Sequence, residues 1–140
     1  DIGKVFLQTY QPEHPIIKHV INYDYEKMYE NQLEERKDYN YPPYVRLIRI
    51  TIKDKSYEKL NSSADWLNNI VRDNFKGVIL GPVYPQISRI KNKYHKEFLV
   101  KLRNLDELNK FRSVIQKIYK SFDSISKYRS VRIIIDVDPI

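Results

Sequence analysis

Residues 89–103 set Arg89, Lys91, Lys93, Lys96, Lys101 and Arg103 against a single carboxylate, Glu97, a net of +5, with Tyr94 and His95 interleaved. Lysines at a turn reach phosphates, and an adjacent aromatic ring stacks on an unpaired base for about 1–3 kcal/mol. The candidate DNA-contacting residues are therefore Arg89, Lys91, Lys93, Tyr94 and Lys96. The competing reading is a solvated turn that lysine keeps from aggregating. A second basic group, Lys110, Arg112, Lys117, Lys120, Lys127, Arg129 and Arg132, faces one acid, Asp123.

Other chemistry finds less support. Glu13, His14 and His19 are close in sequence, but Pro15 interrupts the i, i+4 spacing that a zinc helix needs. Asp136 and Asp138 share a strand face and could hold Mg²⁺, yet no third ligand or base accompanies them, so they read as strand-end carboxylates. Tyr39, Tyr41 and Tyr44 around Pro42-Pro43 read as anchors of a linker, because tyrosine buries its ring and keeps its hydroxyl wet. No G-x-x-x-x-G-K-[ST] loop is present to cradle a triphosphate. With no cysteine there is no disulfide, thiolate metal site or cysteine nucleophile. No catalytic residue, metal ligand or cofactor site is assigned.

The elements that position these residues follow from periodicity. The 140-residue chain, 41% apolar and 13% aromatic, has the material for one packed domain, or for one domain and a fragment. Residues 1–40 carry a net charge of −3 and residues 41–140 a net of +10, so only the second part attracts polyanions. Residues 4–9 predict a strand without a partner, and 24–38 a helix capped by Asp24 with a stripe of Tyr25, Met28, Tyr29 and Leu33. Beyond these, 44–53 alternates as a strand with Ile48, Ile50 and Ile52 on one face. Residues 57–75 form a helix on Leu60, Ala64, Leu67, Val71 and Phe75. Two strands follow, 78–80 continuing into 86–90 after an interruption at Gly81-Pro82, and 94–102, joined by the turn Lys91-Asn92-Lys93. A helix over 106–122 carries Leu108, Phe111, Ile115, Ile118 and Phe122, and 131–137 is a last strand. The order β-α-β-β-α-β implies an α+β, ferredoxin-like antiparallel sheet with two helices on one face. No apolar run of about 18 residues and no signal-like start are present, so the expected location is cytoplasmic, away from membranes.

Several segments, in order, resemble one family, the bacterial primosomal replication-restart helicases (PriA, primosomal protein N′). They are Gly3 to Pro15, Tyr25 to Lys37 running into Tyr41-Pro42-Pro43-Tyr44, Leu80-Gly81-Pro82, Arg89 to Tyr94, and Asp136-Val137-Asp138-Pro139. The resemblance implies that residues 1–40 are the last strand and helix of a RecA-like helicase lobe, and 41–140 the family's C-terminal α+β domain. It further implies a 3′-5′ DNA helicase as parent, using ATP, Mg²⁺ and Zn²⁺ at sites outside this chain, which is itself not an enzyme. The implied partners are single-stranded or forked DNA, the acidic, aromatic-ended tail of single-stranded DNA-binding protein, other primosome proteins and the rest of the helicase core. The tail site implied by the resemblance lies near Asn109, Lys110 and Arg112. Here the sequence departs from the family, with Asn109 where a Gln is expected and Leu105 where an Arg is expected. The alternative from another class is a free-standing RNA-binding or ribosome-like protein.

Overall fold

The computed structural model describes residues 3–139, which fall into two compact units, one ending at Tyr39 and one beginning at Asn40. In the first unit, helix α1 (Pro15–Ile21) is capped by His14, whose side chain accepts from the Ile16 amide at 3.3 Å. Pro15 occupies the first helical position, where a missing N–H costs nothing. Reading Pro15 only as an interruption between His14 and His19 misses this helix. Helix α2 (Tyr25–Asp38) starts on Asp24 as expected, the carboxylate accepting from the Lys27 amide at 3.3 Å. The strand expected over residues 4–9 does not form. Val5 and Phe6 are 89% and 88% exposed, and no other strand of the described residues pairs with this segment. A strand needs a hydrogen-bonded neighbour, and periodicity alone cannot supply one.

The second unit runs β1 (Arg46–Asp54), α3 (Tyr57–Asn74), β2 (Val78–Val83), β3 (Arg89–Ile90), β4 (Lys93–Leu102), α4 (Leu105–Ser124), a 3-10 turn (Ser126–Tyr128) and β5 (Arg132–Val137). It is α+β, as expected. The strands form one antiparallel sheet in the order β2-β4-β1-β5, with β3 paired only to the start of β4. There are five strands and not four, because β3 is a separate two-residue piece. Residues 86–88, expected as strand, precede it outside regular strand, with only the Ser88 carbonyl bonded to β4. The turn is also shorter than expected, since Lys93 already belongs to β4.

Alternation along β1 decides which face is covered. Ile48, Ile50 and Ile52 are buried and meet Leu60, Ala64, Leu67 and Val71 of α3 in one core, with Phe98, Val100 and Leu102 of β4 and Leu108, Phe111, Ile118 and Phe122 of α4. Both helices thus lie on one sheet face. Each fully buried Leu or Ile contributes about 1.5–3 kcal/mol. Trp66, Phe122 and Tyr128 close the space between the helices, the latter two stacked at 5.3 Å, and the Tyr128 hydroxyl donates to the Ser62 carbonyl at 3.1 Å.

Polar groups close the remaining ends. Buried Asp54 accepts from the Ser56 amide at 2.7 Å, turning β1 into α3, and Ser56 caps that helix. Asp138 accepts from the Leu47 amide at 3.0 Å and from Arg46 at 3.1 Å, which fastens the end of β5 to β1. That makes Asp138 the strand-end carboxylate expected of it. Strand β2 continues through Gly81-Pro82 with a register irregularity between Leu80 and Val83. Gly81 has φ of +98°, and a Cβ there would stand 2.6 Å from the Glu97 carbonyl oxygen. Left-handed backbone costs a non-glycine residue about 1–2 kcal/mol, and the backbone clash adds to it. Gly81→Ala is expected to destabilise the protein by about 2 kcal/mol or more. Urea unfolding checks this, and a midpoint equal to that of the parent would refute it.

Candidate nucleic-acid interface

The hairpin is built by a turn whose two residues both need left-handed backbone, Lys91 at φ 48° and Asn92 at φ 63°. Two-residue turns of this kind match the twist of paired strands, and Asn tolerates the conformation well. Arg89 lies opposite Tyr94 and Ile90 opposite Lys93. The Arg89 guanidinium stands 5.0 Å from the Tyr94 ring centroid and also donates to the Asn92 side-chain oxygen. The loop before β3 is tied down by the His95 amide, which donates to the Ser88 carbonyl at 2.8 Å. Arg89, Lys91, Lys93 and Tyr94 all lie at the tip, Arg89 and Tyr94 on one face of the hairpin and Lys93 on the other, with Lys91 exposed. Lys96 lies further along β4, its ammonium 5.0 Å from the Tyr84 ring centroid.

Lys101 and Arg103 belong to the opposite end of β4, roughly 30 Å from the tip at the usual rise per residue. The Lys101 ammonium sits 4.1 Å from the Tyr41 ring centroid, and the Arg103 amide donates to the Glu107 carboxylate at 2.8 Å. Tyr41 is thus engaged by the sheet, consistent with an anchored linker.

Side chains alternate along β4, so Lys93 and His95 point to the face away from the helices, while Tyr94 and Lys96 follow Phe98 and Val100. On the helix-free face, Lys53 of β1 is opposite His95 on one side and opposite Arg132 of β5 on the other. Burial first, then Lys53, holds the His95 imidazole below its usual pKa. Lys93 acts in the same direction, and Glu97 against it.

The first turns of α4 form a different feature. Asn104 and Glu107 cap the helix reciprocally, Asn104 accepting from the Glu107 amide at 2.9 Å and Glu107 from the Arg103 amide. Asn109 and Lys110 line a cavity of about 630 Å³ together with Phe75, Lys76, Gly77 and Val114. Arg112 is exposed and is not part of that lining, so only two of the three expected residues come together there. Leu105 is 71% exposed at the helix start.

Glu13, His14 and His19 are occupied otherwise. Glu13 pairs with Lys18 at 2.7 Å, His14 caps α1, and His19 lies 3.1 Å from the Asn31 amide nitrogen.

The family model described as the primosomal protein N C-terminal domain matches residues 37–140. The chain belongs to this family. Proteins named "Replication restart protein PriA" align along nearly all of it. That of Chlamydia muridarum is 30% identical over 140 residues, 99% of this chain and 18% of the relative. Those of Bacillus subtilis and Thermotoga maritima are 29% and 30% identical, over 98% and 99% of this chain and 17% of each relative. The chain spans less than a fifth of the length of these relatives. Within this PriA C-terminal domain, the basic tip, the cavity at α4 and the helix-free face are all contained in the matched residues.

Three residues beside the hairpin escape sequence reasoning. Tyr57, Asn61 and Tyr84 meet in space, the Tyr84 hydroxyl donating to Asn61 at 2.6 Å. Tyr57 stands at the first position of α3 and Tyr84 in the connection after β2, so no periodicity links them. The one signal in the sequence is tyrosine placed where neither helix stripe nor strand alternation requires an apolar residue. Burial, then Tyr57, pushes the Tyr84 phenol above its ordinary pKa.

Because the His95 pKa is depressed, the unfolded chain takes up this proton before the folded one does. Stability from this group is complete above the usual value of about 6.5 and declines as the pH falls below it, until the folded imidazole also protonates. His95→Gln should therefore flatten the dependence of Tm on pH between about 7 and 5. Parallel melts of parent and variant with unchanged separation across that range would contradict it.

Proposed function

We propose that this chain is the C-terminal region of a replication-restart protein and contacts DNA through the β3–β4 hairpin. The observation that carries the reading is the hairpin tip. Arg89, Lys91 and Lys93 are gathered where an ordered turn leaves the sheet, in a chain whose relatives are named for replication restart. Cations at such a tip neutralise phosphates without reading sequence, which suits a protein acting wherever a fork stalls.

The sheet order β2-β4-β1-β5 with both helices on one face supports a ferredoxin-like βαββαβ core for residues 41–140. The exposed Val5 and Phe6 support residues 1–40 as a remnant of the second RecA-like lobe, whose sheet would supply the neighbour that residues 4–9 lack. The parent is then an ATP-dependent 3′-5′ DNA helicase acting in primosome assembly in the cytoplasm. Its ATP, Mg²⁺ and Zn²⁺ belong to the preceding parts, and this chain alone hydrolyses no nucleotide. The cavity at α4 supports docking of the tail of single-stranded DNA-binding protein. Phe75 and Val114 offer apolar wall to an aromatic end, and Lys76 and Lys110 offer charge to acidic residues.

Binding to single-stranded or forked DNA is expected to weaken steeply with salt. Lys91→Ala with Lys93→Ala should lower affinity for all sequences and reduce the slope of log K against log[salt] by roughly 0.7 to 0.9 for each phosphate no longer neutralised. Fluorescence anisotropy at several salt concentrations measures both quantities. An unchanged affinity and slope in the double variant would leave the hairpin as a solvated turn.

A further inference from the structure

We propose that Tyr57 and Tyr84 form the surface on which an unpaired DNA base stacks, so that single strands are preferred to duplex, while Tyr94 serves as the brace behind them. This rests on the DNA-binding reading of the hairpin and adds the residues that would choose the form of DNA.

The rings come from three separate elements. Tyr57 and Tyr84 are parallel, with 2° between their planes and centroids 6.0 Å apart, and Tyr94 meets Tyr57 at 76° and 5.5 Å. Tyr94 has little left to offer a ligand. It packs against the core and abuts Tyr57, and its ring is only partly exposed. Tyr57 and Tyr84 are instead 52% and 39% exposed and belong to no part of the core. Flat aromatic surface left in water beside a cationic turn is suited to nucleobases, whose faces are exposed only when the strand is unpaired.

Two further features make the pair a prepared surface. The Asn61 side chain, fixed by donating to the Tyr57 backbone carbonyl at 3.0 Å, accepts from the Tyr84 hydroxyl and so ties the Tyr84 ring to the first turns of α3, while Tyr94 backs the Tyr57 ring. Rings already held lose little freedom on binding. The Lys96 ammonium stands over the Tyr84 ring and the Arg89 guanidinium over the Tyr94 ring, each 5.0 Å from the centroid, both on flexible side chains that can swing to a phosphate. Phosphates flanking a base seated on Tyr57 and Tyr84 thus find positive charge.

The test compares oligo-dT, an abasic strand of equal length and charge, and a duplex, each binding the whole chain, by anisotropy. The parent should bind oligo-dT about tenfold more tightly than the abasic strand. Tyr57→Leu with Tyr84→Leu should bring oligo-dT to the abasic level while leaving abasic binding, duplex binding and the salt slope unchanged. Tyr57→Phe with Tyr84→Phe should keep the preference. A folded Leu variant that retains the preference, or a parent that shows none, overturns the proposal. Should the Leu variant not fold, the ring-proton resonances of Tyr57 and Tyr84 in the parent decide. Upfield shifts with oligo-dT and not with the abasic strand support stacking, and their absence refutes it. The two readings separate cleanly. If Lys91→Ala with Lys93→Ala loses abasic affinity while the tyrosine variant behaves as parent, the hairpin reading stands and this one falls. If the parent binds no strand at all, both fall.

Discussion

Strand β1 is the constraint on which the rest of the second unit depends. It is hydrogen-bonded on both sides, to β4 over nine residue pairs and to β5 over six, and its three buried isoleucines meet the helices. A slip of one residue against β4 would turn Phe98, Val100 and Leu102 out of the core, so burial locks the register. The same register ends at Asp54 opposite Tyr94, where β1 turns into α3. Beyond that pair, β4 has only β3 to continue with, and the chain must close as a tight hairpin. The cationic tip thus exists because the central strand stops there.

The helices also manage the sheet's two edges. Arg72, in the last turn of α3, donates to the carbonyls of Ile79 and Gly81 on β2, both at 3.1 Å, while its Nε is held by Asn68 at 2.7 Å. At the other edge, the Tyr119 hydroxyl of α4 donates to the Ile133 carbonyl on β5 at 2.8 Å. Burial, then Asp123, pushes that phenol above its ordinary pKa, so it remains a donor through neutral pH. Unpaired edge carbonyls invite other strands, and each helix gives up a polar side chain to occupy some of them.

The alternation in β1 and the stripes of α3 and α4 were legible from sequence because burial imposes a period of 2 on strands and 3.6 on helices. Ile48, Ile50, Ile52, Leu60, Leu67, Phe111 and Phe122 all lie where those periods put them. Residues 4–9 misled for the opposite reason, since a short apolar run suits a strand whether or not a neighbour is present, and among the described residues none pairs with it. Helix α1 was hidden by Pro15, which begins a helix as readily as it ends one. In the candidate interface, the basic tip was legible because Arg89, Lys91 and Lys93 are close in sequence. Lys101 and Arg103, part of the same basic run but not among the candidate residues, lie at the far end of β4. Tyr57 and Tyr84 were not legible, being 27 positions apart in sequence and joined only by tertiary packing.

The path of β4 has a mechanical side. Its tip end carries the hairpin, and the remainder is flanked by β1 along its length and by β2 over part of it. A tug on the tip along the strand axis loads those ladder bonds in shear, so that many must fail together. A hairpin at the end of a long loop would instead peel, one bond at a time. Any force on the tip would thus pass directly into the sheet, with little slack to absorb it.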